Sequence, residues 1–180
     1  ELCDNLAVGG TTPSIGVINE AIKLTREKSV DLCVIIRPRG GDFVYTDPEV
    51  EAMLTDIRAA KEIGVTCFVL GALTRDRKLD QRIMQLLLAA CGEAEVVFHM
   101  AFDELAHTDQ LEAIEWLSDQ GVARILTRAR SPGDPLEPRF AHYHRLLDAA
   151  KGKIQILPGG GVTLDNRQLF LEQLGVCQLH

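Results

Sequence analysis

The sequence predicts an α/β fold of the (β/α)-barrel type, and three observations lead to it. Short runs rich in β-branched apolar residues alternate along the chain with longer amphipathic stretches. Strict alternation of this kind is typical of a parallel sheet with helices packed on its faces. No glycine-rich phosphate-binding fingerprint follows a first strand, and polar side chains recur at the strand ends. The last two observations favour a closed barrel over a doubly wound open sheet.

The apolar runs predict the strands, and the amphipathic stretches between them predict the helices. An opening fragment at residues 1–4 is followed by strands at 32–36, 67–70, 95–98, 124–126, 154–157 and 176–179. Helices are predicted at 14–28, 47–63, 80–90, 108–120, 137–150 and 164–174. Ser14 suits the N-cap of the first helix, and Asp47, followed by Pro48, suits that of the second. Because the chain opens inside a strand, we expect the natural N-terminus to be missing.

The composition indicates one globular domain spanning residues 1–180. Hydrophobic residues make up 46% of the chain, and the formal net charge is −7. This acidic balance argues against a nucleic-acid or anionic-membrane partner, both of which need basic surface. No apolar run has the length of a membrane helix, and no signal peptide is seen. Five cysteines without a Cys-x-x-Cys pattern indicate reduced thiols in the cytoplasm.

Alternation along the strands predicts which side chains face the barrel axis. Successive strand residues point to opposite sides, and the side that meets the helices must be apolar. Placing Val34, Phe98 and Leu126 on the helix side puts polar residues on the axis. They fall at the C-terminal strand ends, where barrel enzymes have their active sites. The residues that then face inward are Glu1, Cys3, Arg37, His99, Thr127 and His180.

Two arginines follow the strand at 32–36, where residues 37–42 read Arg-Pro-Arg-Gly-Gly-Asp. Arg37 and Arg39 present planar cationic forks that suit a carboxylate or a phosphate. A structural ion pair between Arg37 and Glu1 on neighbouring strands is the alternative. The two roles are compatible.

The histidines fall into two classes. His99 lies at a strand end with Asp103 close behind it, so it can act as a general acid or base oriented by a carboxylate. A polar residue that buttresses the barrel mouth is the alternative. His142 and His144 are two positions apart on a helix and point in different directions, so we expect both on the surface.

Three consecutive glycines, Gly159, Gly160 and Gly161, follow the strand at 154–157. In barrels this loop often binds phosphate through its backbone amides. A sharp turn that needs positive φ is the alternative. Thr127, at the end of the preceding strand, is a further candidate for ligand binding.

Cys3 is the one thiol near the C-terminal strand ends, and soft thiolates select Cu(I) or zinc. Cys33, Cys67 and Cys177 are expected at strand starts, at the opposite end of the barrel, as small buried hydrophobes. They cannot join Cys3 in one site. Cys3 alone leaves a metal site incomplete unless His180, or a cysteine on a missing first strand, completes it.

Together, several segments resemble the CutC copper-homeostasis family. They lie at residues 1–3, 9–14, 36–43, 98–99, 101–103, 125–127 and 158–162, in the expected order. The resemblance implies a (β/α)8 barrel, a cytoplasmic setting, a homo-oligomer that is often a dimer, and a role in copper handling. It also implies that Cys3 is a Cu(I) ligand beside a cysteine on a first strand. The chain would then lack that strand and the C-terminal end of the family's chain.

The sequence departs from the family pattern at two places near the barrel mouth. Met100 stands where arginine is common, and Arg128-Ala129 stands where Ser-Gly is common. Both changes put an inherited substrate in doubt.

Three functions remain open. The first is a copper-homeostasis protein that binds Cu(I), which rests on the resemblance and on Cys3. The second is a barrel enzyme of lyase, hydrolase or isomerase type acting on a small anionic metabolite, and the residues themselves favour it. The third is a non-catalytic sensor that uses the same pocket. The predicted catalytic residues are Glu1, Arg37, His99 and Asp103; the predicted ligand-binding residues are Arg39, Thr127, Gly159, Gly160 and Gly161; the predicted metal ligand is Cys3.

Overall fold

Strands and helices alternate through a computed structural model that describes residues 1–131 and 140–180. The strands are β1 (Cys33–Ile35), β2 (Cys67–Leu70), β3 (Glu95–Phe98), β4 (Arg124–Thr127) and β5 (Gln155–Pro158). The helices are α1 (Ile15–Lys28), α2 (Asp47–Glu62), α3 (Gln81–Cys91), α4 (His107–Asp119), α5 (Phe140–Ala150) and α6 (Arg167–Leu174). Short 3-10 helices occupy Leu6–Val8 and Met100–Glu104. The predicted α/β class is confirmed.

The strands form one sheet in the sequential order β1-β2-β3-β4-β5. Neighbours in chain order that are parallel need a crossover, and the helices between them supply it. By contacts the chain divides into two compact units. The first comprises Glu1–Thr74 and Asp80–Val97, and the second comprises Arg75–Leu79 and Phe98–His180.

In the first unit, β1 and β2 pair in parallel and in register from Cys33 opposite Cys67. Phe68 on β2 and Met53 on α2 have no exposed surface and belong to the core of this unit. Helix α2 begins at Asp47, the first residue of the predicted range, but its N-cap is Thr46 and not Asp47. The Glu49 carboxylate accepts hydrogen bonds from both the backbone N–H and the hydroxyl of Thr46, which fixes this start.

In the second unit, β4 and β5 pair in parallel from Arg124 opposite Gln155 to Thr127 opposite Pro158. Helices α4 and α5 turn apolar faces inward, with Leu117 and Leu146 fully buried. These positions follow the helical period on which the prediction of both helices was based. The first residues of the helix predicted at 137–150 lie outside the described residues.

Two predicted strands differ from the structure. Residues 176–179 form no strand, although a backbone hydrogen bond runs from His180 N to Pro158 O just after them. A single hydrogen bond does not make a strand pair. The apolar alternation over four residues was therefore insufficient evidence for a strand. The fragment at 1–4 makes a single parallel bridge from Leu2 to Val34. It then turns back, with Asp4 bridged antiparallel to Thr11.

None of the helices within residues 1–131 and 140–180 has the length and apolar character needed to cross a membrane.

Candidate functional site

Arg37 directly follows β1 in the first unit and is almost completely buried, with 4% of its surface exposed. Its Nη1 donates to the carbonyls of Val8 and Gly10, both at 3.0 Å, and its Nη2 donates to that of Gly41 at 2.7 Å. The guanidinium also lies 4.7 Å above the ring of Phe43. Arg37 therefore clamps the loop at residues 5–12 to the loop at 38–43.

Within the described residues, the positive charge of the Arg37 guanidinium meets backbone carbonyls and an aromatic ring. The ion pairs found in residues 1–131 and 140–180 do not include Arg37. The buried Nε of Arg37 also has no hydrogen-bond partner there. A buried cation held by carbonyl dipoles and an aromatic ring is compatible with an anionic ligand, because these neutral partners do not cancel its charge.

Arg39 is engaged differently from Arg37. Its Nε donates to the Glu49 carboxylate at 2.5 Å, and its Nη2 lies 2.9 Å from Asp42 Oδ1. The hydrogen bond that Arg39 donates to Glu49 raises the pKa of Arg39. The Thr46 N–H and then Arg39 lower the pKa of Glu49 to about 2. An anion could reach Arg39 only by displacing these carboxylates.

Asp103 is the buried carboxyl of the second unit, with 5% of its surface exposed. It accepts a hydrogen bond from the Thr127 hydroxyl at 2.5 Å and from the Arg128 N–H at 3.1 Å. Burial raises the pKa of Asp103 to about 6, although these hydrogen bonds lower it in part. This carboxyl can therefore exchange a proton just below neutral pH.

His99 precedes the 3-10 helix that carries Asp103, and it is 4% exposed. Its Nδ1 accepts a hydrogen bond from the Ala101 N–H at 3.2 Å. An Nδ1 that accepts must be unprotonated, so the neutral ring carries its proton on Nε2. In this tautomer the Nε2–H of His99 is a hydrogen-bond donor.

The glycine loop follows β5 and lies against β4. The N–H of Gly159 donates to the Thr127 carbonyl at 2.9 Å. Gly160 and Gly161 have φ of 68° and 99°, a conformation that favours glycine. The side chain of Arg128 fills the space that a Cβ at Gly160 would need. The loop therefore makes the sharp turn with positive φ that was the alternative prediction. The cationic side chain of Arg128 also lies against it.

Cys3 lies between the two isolated bridges at the start of the chain and is half-buried. A Cβ at Gly10 would come within 3.7 Å of its Sγ, so the thiol packs against the loop that Arg37 clamps. Burial, followed by the negative charge of Glu1, raises the pKa of the Cys3 thiol. Glu1 itself is exposed.

Two predictions about individual residues were wrong. His142 is buried and not on the surface: its Nε2 lies 2.7 Å from Gln110 Oε1, and its ring stacks on His107 with centroids 4.0 Å apart. Gln110, which we did not predict, is fully buried on α4 and also donates to the carbonyl of Arg130. Its position on the apolar face of α4 was the available signal. Cys177 is exposed and not buried.

A site for a divalent metal is not formed by the described part of the chain. Among residues 1–131 and 140–180, no three or more His, Cys, Asp or Glu side chains converge on one point. All five cysteines lie in these residues, and none is in a disulfide.

Comparison with known proteins decides the family. The model of the CutC family matches residues 1–180. The chain belongs to the CutC family. A CutC family protein of Enterococcus faecalis is 47% identical over 180 residues, which cover 100% of this chain and 86% of that protein. The human copper homeostasis protein cutC homolog is 42% identical over 184 residues, which cover 100% of this chain and 63% of that protein.

Solved structures agree with this assignment. The crystal structure of the CutC protein of Streptococcus agalactiae has a TM-score of 0.95 and 45% identity, over 99% of this chain and 85% of that one. The deoxyribose phosphate aldolase of Aeropyrum pernix has a TM-score of 0.66 at 15% identity, over 92% and 70% of the two chains. At that identity the second likeness concerns the fold alone. It agrees with the predicted (β/α)8 barrel class, of which the parallel sheet and its helices form part.

Proposed function

We propose that this protein takes part in copper homeostasis by binding Cu(I) as cargo through cysteine thiolates. The observation that carries the proposal is the whole-chain match to the CutC family, whose human relative is named for copper homeostasis. Five reduced cysteines in one chain supply the soft ligands that Cu(I) prefers.

Cys3 is the thiol we propose as a Cu(I) ligand near the barrel mouth. It is half-buried, so an ion can reach its sulfur. Its raised pKa keeps the thiol protonated at neutral pH, and Cu(I) must therefore displace a proton. Affinity at this site is expected to rise with pH. Cu(I) is bound by few ligands and prefers soft thiolates, so a single thiol can supply one of them. A tetrahedral divalent ion needs four ligands, which a single thiol does not provide.

The test is an anaerobic titration of the purified protein with Cu(I) in competition with a coloured chelator. Cys3→Ser should weaken one binding equivalent at least about tenfold, about 1.4 kcal/mol. Cys177→Ser is the matched control, because it removes an exposed thiol and leaves Cys3 in place. Equal affinity of wild type and Cys3→Ser would remove Cys3 from the proposal, and an absence of any Cu(I) binding would refute the function.

A second candidate function is an enzyme that acts on a small anionic metabolite, and Asp103 is the observation that favours it. A buried carboxyl with a pKa of about 6 is suited to general acid–base catalysis. In the same unit, His99 is proposed as a proton donor. Thr127 and the glycine loop at 159–161 are proposed as ligand contacts.

In the first unit, Arg37 is proposed as the anion-binding cation, since carbonyls and an aromatic ring hold its charge without cancelling it. Arg39 and Glu1 have weaker support, because Arg39 is bound to Glu49 and Glu1 is exposed. A thermal-shift screen of phosphorylated and carboxylate metabolites tests this candidate. A ligand at a hundred times its Kd stabilises by about 2.7 kcal/mol, which raises Tm by roughly 5–10 °C in a chain of this size. A shift that persists in Arg37→Met would argue against the assignment.

We further propose that the protein is cytoplasmic and forms a homodimer or a higher homo-oligomer. Reduced thiols support the first. Exposed apolar side chains at Leu6, Val17 and Leu24 in the first unit support the second. Light scattering of the purified protein tests the oligomer, and a monomer at micromolar concentration would refute it.

A further inference from the structure

Two cysteines begin neighbouring strands of the sheet. Cys33 is the first residue of β1 and Cys67 the first residue of β2, and the two are paired in the parallel register. Residues directly opposite each other in a sheet point to the same face, because the pleats of the two strands are in phase. The side chains of Cys33 and Cys67 therefore lie side by side on one face of the first unit.

The spacing of neighbouring strands allows two thiols in this register to reach one ion. Neighbouring strands lie about 4.8 Å apart. Cysteines with Cα atoms about 4.4–6.8 Å apart can even be joined by a disulfide. Two thiols in this arrangement can be bridged by a small ion without movement of the backbone.

A carboxylate adjoins the pair. Sγ of Cys67 donates to Oε1 of Glu95 at 3.6 Å, and the N–H of Glu95 donates to the carbonyl of Thr66, which fixes the start of β3 beside β2. Glu95 is exposed and Cys33 is half-buried, so the cluster is reached from solvent, while Cys67 is 5% exposed. The Glu95 carboxylate therefore lies directly beside the Cys67 sulfur.

This cluster is distinct from Cys3. Leu2 bridges to Val34, and the N–H of Ile35 donates to the Leu2 carbonyl, so Cys3 continues alongside the end of β1. Cys33 lies two residues before Ile35, which is a distance of about 6.6 Å along a strand. Cys3 therefore lies beside the end of β1, whereas Cys33 lies at its start.

We propose that Cys33 and Cys67 form a two-thiolate Cu(I) site beside the Glu95 carboxylate. Binding forms two S–Cu bonds and releases one proton from each thiol, and no electron is transferred. Two soft thiolates suffice as ligands for Cu(I). The identity of the ion rests on the proposed function, but the site does not depend on Cys3.

Competition titration with Cu(I) on single-cysteine variants tests the site. Cys33→Ser and Cys67→Ser should each weaken the same binding equivalent at least about a hundredfold, because the second thiolate is held in place by the neighbouring strand. The matched controls Cys3→Ser and Cys177→Ser should keep this equivalent. If Cys3→Ser abolishes all binding and the strand variants bind as wild type does, the dithiol site is refuted and the proposed function stands. If no form binds Cu(I), both fail.

A second measurement uses the unaltered protein, since Cys67 is buried and its replacement could impair folding. Alkylation of each cysteine by iodoacetamide is followed by mass spectrometry, with and without one equivalent of Cu(I). Cu(I) should slow the labelling of Cys33 at least tenfold and leave that of Cys177 unchanged. Unprotected Cys33 at a stoichiometry where Cu(I) is bound would overturn the proposal.

Discussion

Asp103 makes the stability of the protein depend on pH in a direction opposite to that of most carboxyl groups. Its pKa is about 6 in the folded protein, against an ordinary value of 3.8, and burial is the main cause. Between these two values the folded state binds more protons at this site than the unfolded state. The free energy of unfolding therefore rises as pH falls from about 6 to 3.8. Above 6 the side chain is ionised in both states, and below 3.8 it is protonated in both.

The size of this effect follows from the difference between the two pKa values. A difference of about two in pKa corresponds to about 3 kcal/mol. Other groups act in the opposite sense. Glu49, whose pKa is lowered to about 2, loses its stabilising contribution as pH falls. The contribution of Asp103 must therefore be isolated by comparison with a variant.

Asp103→Asn provides that comparison, because it keeps the shape of the side chain and removes its titration. Urea unfolding of both proteins between pH 4 and 7.5 gives the difference in their free energies of unfolding. That difference should change by about 3 kcal/mol in favour of the wild type as pH falls from above 6 to about 4. Asp165→Asn, which replaces an exposed carboxylate of the second unit, serves as the control for removing one charge. A difference that is constant with pH, or one that changes in the opposite direction, would refute the reasoning.

Three further predictions concern side chains that hold loops and helices together. Arg37→Met should lower the free energy of unfolding by about 3 kcal/mol, because three carbonyls lose a charged donor. A protease that does not cut at arginine should also cleave residues 5–12 faster in this variant. An unchanged cleavage rate would contradict the clamp. Gln110→Leu should cost about 3 kcal/mol in urea unfolding, since it leaves His142 and buried carbonyls without their partner, and a cost below about 1 kcal/mol would speak against the network. Gly160→Ala should cost about 1–2 kcal/mol by thermal unfolding and clearly more than Gly161→Ala, which meets no atom within 4 Å, so equal effects would count against the packing described here.

Local signals in the sequence predicted most of the secondary structure. The runs at 67–70 and 95–98 coincide with β2 and β3, because each is a short apolar segment that follows a helix. The strand predicted at 154–157 differs from β5 by one residue. The N-cap of α2 was misplaced by one residue, since Thr46 and Asp47 are both good caps and only the contact with Glu49 distinguishes them. The strand at 176–179 was wrong, because an apolar pattern does not supply a partner strand.

Contacts between residues far apart in the chain limit how much of the candidate site can be predicted from the sequence. The sequence indicated that Asp103 and Thr127 lie at strand ends, but their hydrogen bond joins positions 24 residues apart. The same holds for His142, whose partner Gln110 is on another helix. The register that puts Cys33 beside Cys67 likewise depends on the pairing of two strands. A residue type could be predicted at each place, whereas its partner and its protonation depend on the fold.

Arg128 and Gly160 constrain each other's evolution. The arginine side chain occupies the volume that any side chain at position 160 would need. Position 160 can therefore leave glycine only in a lineage where position 128 has already become small, or where the arginine has turned away. The order of the two substitutions matters, because a change at 160 first meets a clash while a change at 128 first does not. A small residue at position 128 removes the clash, but the φ of 68° at position 160 still favours glycine.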